Sequence, residues 1–241
     1  MRRTLLIAQR ELTSMLTSPA AWVIAGVVLC VDGLLFNAFA LGSEPKSSQR
    51  VLEELFQIAS GTTMVSAILI SMRLFVEERE SGSLLLLFNS PTRNFEIVLG
   101  KYFGALGFLT LLVLMSSHLL VLIATRGTLA LGHVVVGFVG LLLLGAASLS
   151  IGLLGSVLAR SQLVAGLLGC ALLATFLIGW LLSRISDAPL SDVLMYLAMW
   201  QSHFLPLERG VLGLSHVVYF ASVTGVCLSA SSFVLGGQRW D

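Results

Sequence analysis

Long apolar runs separated by short polar segments make up most of this chain. A helix needs about 20 mainly apolar residues to cross a membrane. Six runs reach this length, at residues 20–41, 56–76, 97–124, 133–158, 163–182 and 211–236. The first run is longer than the apolar core of a signal peptide and has no clear cleavage site, so we expect it to remain as a span. The pattern predicts an all-α, polytopic membrane protein whose six transmembrane helices form a single domain over residues 1–241.

Two further segments are amphipathic, with apolar side chains at the three- and four-residue spacing of one helix face. The first, residues 1–18, carries Leu5, Ala8, Leu12 and Met15. It is predicted to be an interfacial helix that lies along the membrane surface. The second, residues 189–206, carries Leu190, Val193, Leu194, Leu197 and Trp200. We expect it to be a surface or re-entrant helix between spans five and six, on the outer side.

The segment 77–90 interrupts the apolar pattern with charges. Its first four residues are all charged: Glu77, Glu78, Arg79 and Glu80. A charge at the middle of a transmembrane helix costs roughly 2.5–3.5 kcal/mol on insertion scales, so this cluster is predicted to lie in water. The apolar run 84–88 that follows is too short to cross a membrane. It is predicted to form one or two helical turns at the surface, whose leucines need a groove in lipid or in another protein.

The composition agrees with a membrane protein and narrows the classes of partner. Hydrophobic residues make up 56% of the chain and charged residues 11%, compared with about 25% charged residues in a soluble domain. The formal net charge of +1 gives no basic surface, so no nucleic-acid partner is expected. The three cysteines lie in apolar runs without metal-ligand spacing, so no metal site is expected either.

Lys and Arg are distributed unevenly between the two sides of the membrane. If the N-terminus is inside, nine of the 14 basic residues fall on the inner side and five on the outer side. Positive residues accumulate in cytoplasmic loops. The distribution therefore predicts that both termini and the segment 77–90 are cytoplasmic.

Two polar side chains within the predicted spans are candidates for a functional role. Asp32 lies about 12 residues into the first span, roughly 18 Å along the helix, and an ionisable group at that depth is a functional hypothesis by default. His118, in the outer half of the third span, is a candidate partner for it. The alternative is that Asp32 is protonated or hydrogen-bonded within the bundle and serves only the structure.

Small residues repeat every four positions in three of the predicted spans, which lets helix backbones approach closely in a membrane. The repeats are Gly100 and Gly104, then Ser148, Gly152 and Ser156, then Gly166, Cys170 and Ala174. We predict that they serve packing inside the bundle, with a seam between two copies as the alternative for one of them.

The chain carries no recognisable motif for nucleotide binding or hydrolysis. A phosphate-binding loop needs G-x-x-x-x-G-K followed by Ser or Thr, but Gly100 and Lys101 are followed by Tyr102, and Phe95 stands where the first glycine is required. The metalloprotease and nucleophile-elbow motifs are also missing from the sequence. We therefore predict no enzymatic activity and no cofactor in this chain. An intramembrane hydrolase that uses Ser150 with His118 is the remote alternative.

Three stretches of the sequence resemble a known family. They are QRELTSMLTSPAAWV near the N-terminus, EERESGSLLLLFNSPTRNFEIVLGKYFG over residues 77–104, and HFLPLERGVLGLSHVVYF over residues 203–220. Together they resemble ATP-binding-cassette permeases of the type-2 export family, and within it the gliding-motility subtype and its copper-enzyme-maturation relatives. The resemblance covers the chain in length, span count and motif order.

The resemblance implies one half of a type V transporter, in which a coupling helix docks on a separate cytoplasmic ATPase that binds ATP and Mg. By position, the coupling interface comprises Glu77, Glu78, Arg79, Glu80, Ser81, Gly82, Leu84, Leu85 and Phe88. Residues 1–18 become the elbow helix. The outer gate comprises Trp200, His203 and Phe204.

The resemblance further implies a dimer with an identical or related permease in the bacterial inner membrane. Two functions remain open at this point. One is ATP-driven export of a substrate. The other is energy transduction, in which ATPase strokes drive an accessory protein on the outer face and no solute crosses.

Overall fold

The computed structural model describes residues 2–40, 47–82, 93–124 and 130–237, and none of these residues lies in a strand. Six helical stretches among them are long and apolar enough to cross a membrane, which confirms the predicted all-α architecture with six spans. The helices are α1 Arg2–Thr17, α2 Pro19–Leu35, α3 Ser48–Ser71, α4 Val76–Glu80, α5 Asn94–Met115, α6 His118–Ala124, α7 Leu131–Leu158, α8 Gln162–Ser183, α9 Leu190–Leu197, α10 Leu205–Glu208 and α11 Leu214–Gly237. Two π-helical segments, Phe36–Ala40 and Met199–Phe204, follow α2 and precede α10.

Helices α3 and α7 form the centre of the bundle. More than half of each of these two spans is buried, whereas the other four bury about a third or less. Helix α7 packs against α3, α5, α8 and α11, and α2 packs against α3. The remaining apolar surface of α2, α8 and α11 is exposed on the outside of the bundle, as is usual for helices that cross a membrane.

Helix α1 lies against the first half of α5, because two glycines of α5 leave room for it. A side chain on Gly100 would come within 2.6 Å of Ile7 Cβ, and one on Gly104 within 2.6 Å of Glu11 Cβ. Leu5, which the sequence places on the apolar face of α1, is 71% exposed instead. Ala8, Leu12 and Met15 of the predicted stripe are partly buried against the protein, so the stripe agrees with the contact face except at Leu5.

The other small residues divide between internal packing and the bundle surface. Gly152 of α7 is in direct contact with the Ser71 hydroxyl, and a side chain on Gly155 would come within 2.9 Å of the Gly169 nitrogen on α8. Cys170, in the middle of the predicted third repeat, is exposed. That repeat is therefore displaced by one residue from the buried face of α8.

The bounds and continuity of three predicted helices differ from the structure. The third span breaks at Ser116 and Ser117, between α5 and α6. The second span starts at Ser48, eight residues before the predicted boundary at 56, because its first two turns are helical although they are polar. The predicted outer helix 189–206 is divided into α9 and the π-helical segment before α10.

We call the two ends of the bundle the α1 end and the far end. The α1 end contains α1, the end of α3, α4 and the beginnings of α5 and α8. The far end contains the beginning of α7, together with α9 and α10.

Candidate functional site

The candidate site is the junction at the α1 end where α3 ends and α4 begins. Of the predicted coupling residues, those from Glu77 to Gly82 lie in α4 and the turn that follows it, and Gly82 has a positive φ of 73° that suits glycine. Glu77, Glu80, Ser81 and Gly82 are exposed. Leu84, Leu85 and Phe88 lie outside the described residues.

Lys101 of α5 is the centre of this junction. Its side chain is almost fully buried, with 1% of the residue exposed. The ammonium nitrogen lies 3.0 Å from Glu78 Oε1 of α4 and 3.3 Å from Glu11 Oε2 of α1, and it donates a 2.7 Å hydrogen bond to the Leu74 carbonyl. We call the arrangement of Lys101, Glu78 and Glu11 the Lys101 clamp, because it joins α1, α4 and α5 at one atom.

In the Lys101 clamp, two carboxylates compensate the charge of a buried ammonium group. A buried ammonium is tolerated only when it is paired and hydrogen-bonded. Removing one partner of a buried ion pair costs about 3–5 kcal/mol, because the other charge then stays buried without compensation. The Phe75 ring adds a cation–π contact, with its centroid 5.3 Å from the ammonium nitrogen. Separating α4 from α1 and α5 is therefore costly.

Arg79 attaches α4 to the opposite neighbour, α7. Its guanidinium donates to the Ala159 carbonyl and, at 3.1 Å, to the Val157 carbonyl. The last carbonyls of a helix have no partner within the helix, and a cation near them is favourable. Consecutive residues of α4, Glu78 and Arg79, thus bind different helices of the bundle.

The chain turn between α3 and α4 is held by Ser156 of α7. The buried Phe75 N–H donates to the Ser156 hydroxyl at 3.2 Å, and this hydroxyl donates to the Met72 carbonyl at 3.3 Å. Val76, the first residue of α4, is fully buried against Ala159 and Ala165. The position of α4 is therefore fixed by packing as well as by charge.

Comparison with known families decides the class of this protein. The sequence model of the family described as ABC-2 family transporter protein matches residues 5–187, which is well over half of the chain. The chain belongs to the ABC-2 transporter family. The matched region includes most of α1, the Lys101 clamp and all of α8. A comparison with curated proteins finds no significant match.

Membership assigns a coarse role to the molecule. ABC-2 permeases are the multi-pass membrane components of ABC transporters and are not themselves ATPases, so the family implies a partner ATPase subunit. The six apolar helices agree with this role.

Asp32 of this permease joins three spans within the membrane. The residue is 2% exposed, and its carboxylate accepts hydrogen bonds from Thr62 of α3 at 2.6 Å and from Ser116, at the break after α5, at 2.9 Å. His118 instead contacts the Met115 carbonyl, at 2.8 Å. The structure therefore places Asp32 with two hydroxyls, and the predicted partner His118 is not hydrogen-bonded to it.

The three predicted gate residues lie together at the far end. Trp200 Nε1 donates to the Ser60 hydroxyl of α3 at 3.2 Å, and Phe204 is fully buried. His203 stacks on the Tyr219 ring of α11 at 3.7 Å between centroids. Burial is the main factor that lowers the pKa of His203. The π-helical segment is thus bound to both α3 and α11.

Two hydrogen bonds fix the tautomer of the buried His203. Its Nε2 lies 2.9 Å from the Tyr196 carbonyl, which can only accept, so Nε2 carries the proton. In the neutral ring Nδ1 is then an acceptor, and it lies 3.2 Å from Nδ1 of His216. His216 Nδ1 is therefore the donor of this pair.

A buried carboxyl group at the far end was not among the sequence-based candidates. Glu208 is 5% exposed, and within the described part of the chain its Oε2 has no hydrogen-bond partner. Burial, and secondarily the nearby carboxylate of Glu53, raise the pKa of Glu208 to about 7. Its own backbone carbonyl lies 2.6 Å from His133 Nε2. Glu208 is thus an ionisable group near neutrality where α10 meets α7.

Lys101 was also missed by sequence-based reasoning. The signal in the sequence is a single lysine inside the apolar run 97–124, combined with acidic residues in both segments predicted on the same side, Glu11 and Glu78. That signal shows that opposite charges lie on the same side of the membrane, but it does not show that they are in contact. A lysine near the end of a span can also extend to the membrane surface.

Proposed function

We propose that this chain is the permease subunit of an ABC export complex, coupled to a separate cytoplasmic ATPase. The ATPase docks on residues 77–88, and its movement enters the membrane through the Lys101 clamp. The single observation that carries this proposal is the position of Lys101, whose ammonium nitrogen lies 3.0 Å from Glu78 and 3.3 Å from Glu11. ATP and Mg bind to the partner and not to this chain.

The proposed orientation places the α1 end in the cytoplasm of a bacterial cell and the far end outside the inner membrane. It is supported by the excess of Lys and Arg on the side of the N-terminus. In this orientation the exposed residues Glu77, Glu80 and Gly82 face the cytoplasmic ATPase. The C-terminus is cytoplasmic as well.

We propose that a displacement of α4 is transmitted to the bundle by two routes. Through Glu78, a push on α4 moves Lys101 and therefore α5 and α1. Through Arg79, the same push moves the end of α7, which packs closely on α8 at Gly155. Because interiors are closely packed, such a displacement passes along whole helices and is not absorbed at the contact.

In this proposal, helix α3 carries the displacement to the far end. A helix of 24 residues is about 36 Å long, which exceeds the thickness of the membrane core. Ser60 of α3 holds Trp200 of the gate segment. The proposed cycle involves two permease copies, identical or related. When ATP binds, their residues 77–88 approach each other and their residues 189–206 move apart.

The subtype remains part of the proposal. The stretches at residues 77–104 and 203–220 are similar to gliding-motility permeases and their copper-enzyme-maturation relatives. A second function is favoured by the exposed apolar face of α9, which includes Leu190, Val193 and Tyr196. In that function the far end drives an accessory protein and no solute crosses.

Affinity purification in mild detergent tests the docking of the ATPase. We expect the tagged wild-type permease to co-purify with a protein that carries a phosphate-binding loop, and Glu77→Arg combined with Glu80→Arg to lose it. The matched control is Arg50→Glu, which reverses an exposed charge at the far end. Equal recovery of the ATPase with the double variant and with Arg50→Glu would contradict docking on residues 77–88. If the folded wild type recovered no ATPase, the proposed function would be contradicted.

A further inference from the structure

Asp32 lies beside two places where a span departs from a regular α-helix. The π-helical segment Phe36–Ala40 begins one turn after it, and the third span breaks at Ser116 and Ser117. Asp32 is the fourteenth residue of α2, about 20 Å from the first. It therefore lies past the middle of a membrane core about 30 Å thick, towards the far end. Interrupted helices at such a depth are where membrane proteins bind ions and protons.

Two hydroxyl groups hold the ionised form of Asp32. The residue is 2% exposed, and its carboxylate accepts hydrogen bonds from Thr62 of α3 at 2.6 Å and from Ser116 at 2.9 Å. The ion pairs found among the described residues do not include Asp32. His118 of α6 is the titratable group whose charge acts on it, without a hydrogen bond between them. A proton is therefore the simplest partner for the charge of this carboxylate.

The same hydroxyls also fit the protonated form. A hydroxyl has one proton to donate, and it accepts with its lone pairs. Thr62 Oγ1 lies 3.1 Å from the Ala59 carbonyl of its own helix, so it can donate there instead. A protonated Asp32 then donates to Thr62 Oγ1, across the 2.6 Å that separate the two oxygens. Rotation of one hydroxyl is enough to change between the two forms, and in both of them the carboxyl and the hydroxyl of Thr62 are hydrogen-bonded.

We propose that Asp32 is a reversible proton-binding site within the membrane, and that its protonation loosens the break of the third span at Ser116. The step is the addition of one proton to the carboxylate, which becomes a neutral carboxyl group. Asp32 and Ser116 both line a cavity of about 10 Å³, close to the space that one water molecule needs. A water molecule at this position can pass the proton to the carboxylate. The site rests on the proposed function only for the name of the side from which the proton comes, which is the outside of the cell.

Protonation weakens the link between Asp32 and the break. A hydrogen bond to an ionised acceptor is roughly twice as strong as one to a neutral acceptor. Ser116 Oγ also lies 3.5 Å from the Leu112 carbonyl, one turn earlier in α5. Neutral Asp32 therefore competes less well with Leu112 for the Ser116 proton. Helix α6, which begins at His118 directly after the break, is then attached less firmly to α2.

Infrared difference spectroscopy of the purified full chain in lipid bilayers tests the proton site. A protonated carboxyl group has its own C=O band, which disappears on ionisation. All samples carry Glu208→Gln, because the pKa of Glu208 is also raised, to about 7. From about pH 4 to about pH 10 we expect a titrating band that Asp32→Asn removes and that the matched control Asp192→Asn, at an exposed position, keeps. A spectrum that Asp32→Asn leaves unchanged, or an Asp32 band that is lost with added Na⁺ at constant pH, would overturn the proposal.

Thr62→Val tests the site while Asp32 stays in place, so it remains informative if Asp32→Asn does not fold. The substitution keeps the shape of the side chain and removes its hydroxyl, which binds the ionised carboxylate more strongly than the neutral one. We expect the Asp32 band to persist to a pH about one unit or more higher than in the wild type. A titration identical to that of the wild type would contradict the site.

Hydrogen exchange tests the effect on the third span. After correction for the intrinsic effect of pH on exchange, we expect the amides of α6 to lose protection by a factor of about three or more when Asp32 becomes protonated. Asp32→Asn is permanently neutral and should show the low protection at every pH. If the protection of α6 followed pH equally in Asp32→Asn and in the wild type, the change would belong to His118 and the proposal would be overturned.

Discussion

Lys101 is the residue that decides how α1, α4 and α5 are connected. Its buried ammonium group contacts the carboxylates of Glu78 and Glu11 and the Leu74 carbonyl, while the side chains of Glu78 and Glu11 stay partly exposed. A buried lysine without such partners would lose its charge or destabilise the fold. The two carboxylates therefore make a charged residue stable at this depth.

Replacing this lysine by an uncharged residue should destabilise the protein. Lys101→Met leaves Glu78 and Glu11 without their cation, and we expect the free energy of unfolding to fall by about 3–5 kcal/mol. Thermal unfolding in detergent measures the change. Arg50→Met, at an exposed position of the far end, is the control and should change stability by less than about 0.5 kcal/mol.

A second variant separates charge from packing in the Lys101 clamp. Lys101→Met combined with Glu11→Gln and Glu78→Gln removes all three charges, and we expect it to regain most of the lost stability, because no charge is then left buried alone. A single Lys101→Met variant as stable as the wild type would show that the ion pairs are not formed.

Glu208 should make stability depend on pH at the far end. Below its ordinary pKa of 4.5 the carboxyl is protonated in the folded and unfolded states, so it has no effect. Between 4.5 and about 7 only the unfolded state loses the proton, so the folded state becomes less stable as pH rises through this window. Above about pH 7 both states are ionised and the loss is complete.

The variant Glu208→Gln removes this dependence. We expect its melting temperature to match that of the wild type near pH 4.5 and to exceed it by roughly 5 °C or more at pH 8. Melting curves of both proteins across this pH range give the comparison. A difference that does not grow with pH would mean that the carboxyl of Glu208 titrates normally in the folded protein.

At the scale of elements, α4 depends on a serine of the neighbouring helix. Ser156→Ala removes the acceptor of the buried Phe75 N–H, and an unsatisfied buried donor costs about 1–3 kcal/mol. We expect faster hydrogen exchange of the α4 amides and a lower melting temperature. Ser148→Ala is a matched control on α7, because the buried Ser148 hydroxyl makes no hydrogen bond within the described residues. Equal effects of the two substitutions would contradict the role of Ser156.

The packing of α1 against α5 depends on Gly104. Gly104→Ala places a methyl group within 2.6 Å of Glu11 Cβ, so α1 must shift, and we expect a loss of about 1–3 kcal/mol. Gly61→Ala on α3 meets nothing within 4 Å and should instead stabilise its helix by up to about 1 kcal/mol. Thermal unfolding distinguishes the expected loss of stability in Gly104→Ala from the expected gain in Gly61→Ala. A neutral Gly104→Ala would mean that α1 is not tightly docked.

The length of the apolar runs was enough to predict the six spans, because crossing a membrane depends on local composition. The breaks were not predictable in the same way. The interruption at Ser116 coincides with a hydrogen bond to Asp32, and the turn before α4 is held by Ser156. Both partners lie far away in the sequence, so hydropathy contains no signal for them.

The candidate site was predicted only in part for the same reason. The four charges from Glu77 to Glu80 predict a segment outside the hydrocarbon, and that inference needs no knowledge of the fold. The partners of Glu78 and Arg79, which are Lys101 and the carbonyls at the end of α7, depend on which helices become neighbours. Periodicity placed Ala8, Leu12 and Met15 of α1 on one face, but it does not record that Gly104 leaves space for Glu11 on that face.

At the scale of the whole molecule, the α1 end and the far end are linked by the buried central pair α3 and α7. The turn before α4 contacts α7 through Ser156, and α4 itself contacts α7 through Arg79. At the far end, Ser60 of α3 contacts Trp200. An ABC-2 permease that converts ATPase movement into opening of the far end requires such a continuous connection. The central claim is that movement at α4 enters the bundle through the Lys101 clamp and Arg79 and reaches α9 at the far end through α3 and α7.

The most direct test of this claim is a distance measurement between spin labels on the α9 helices of the two permease copies. It is made in the purified permease–ATPase complex, with and without ATP. The labels are placed at Val193, which is exposed, after Cys30, Cys170 and Cys227 are replaced by serine or alanine. We predict an ATP-dependent change in the wild type. The charge-free variant Lys101→Met, Glu11→Gln and Glu78→Gln should lose this change when it is compared in preparations with equal amounts of bound ATPase, because Glu78 is also one of the predicted docking residues. A change of the same size in that variant would contradict transmission through the Lys101 clamp.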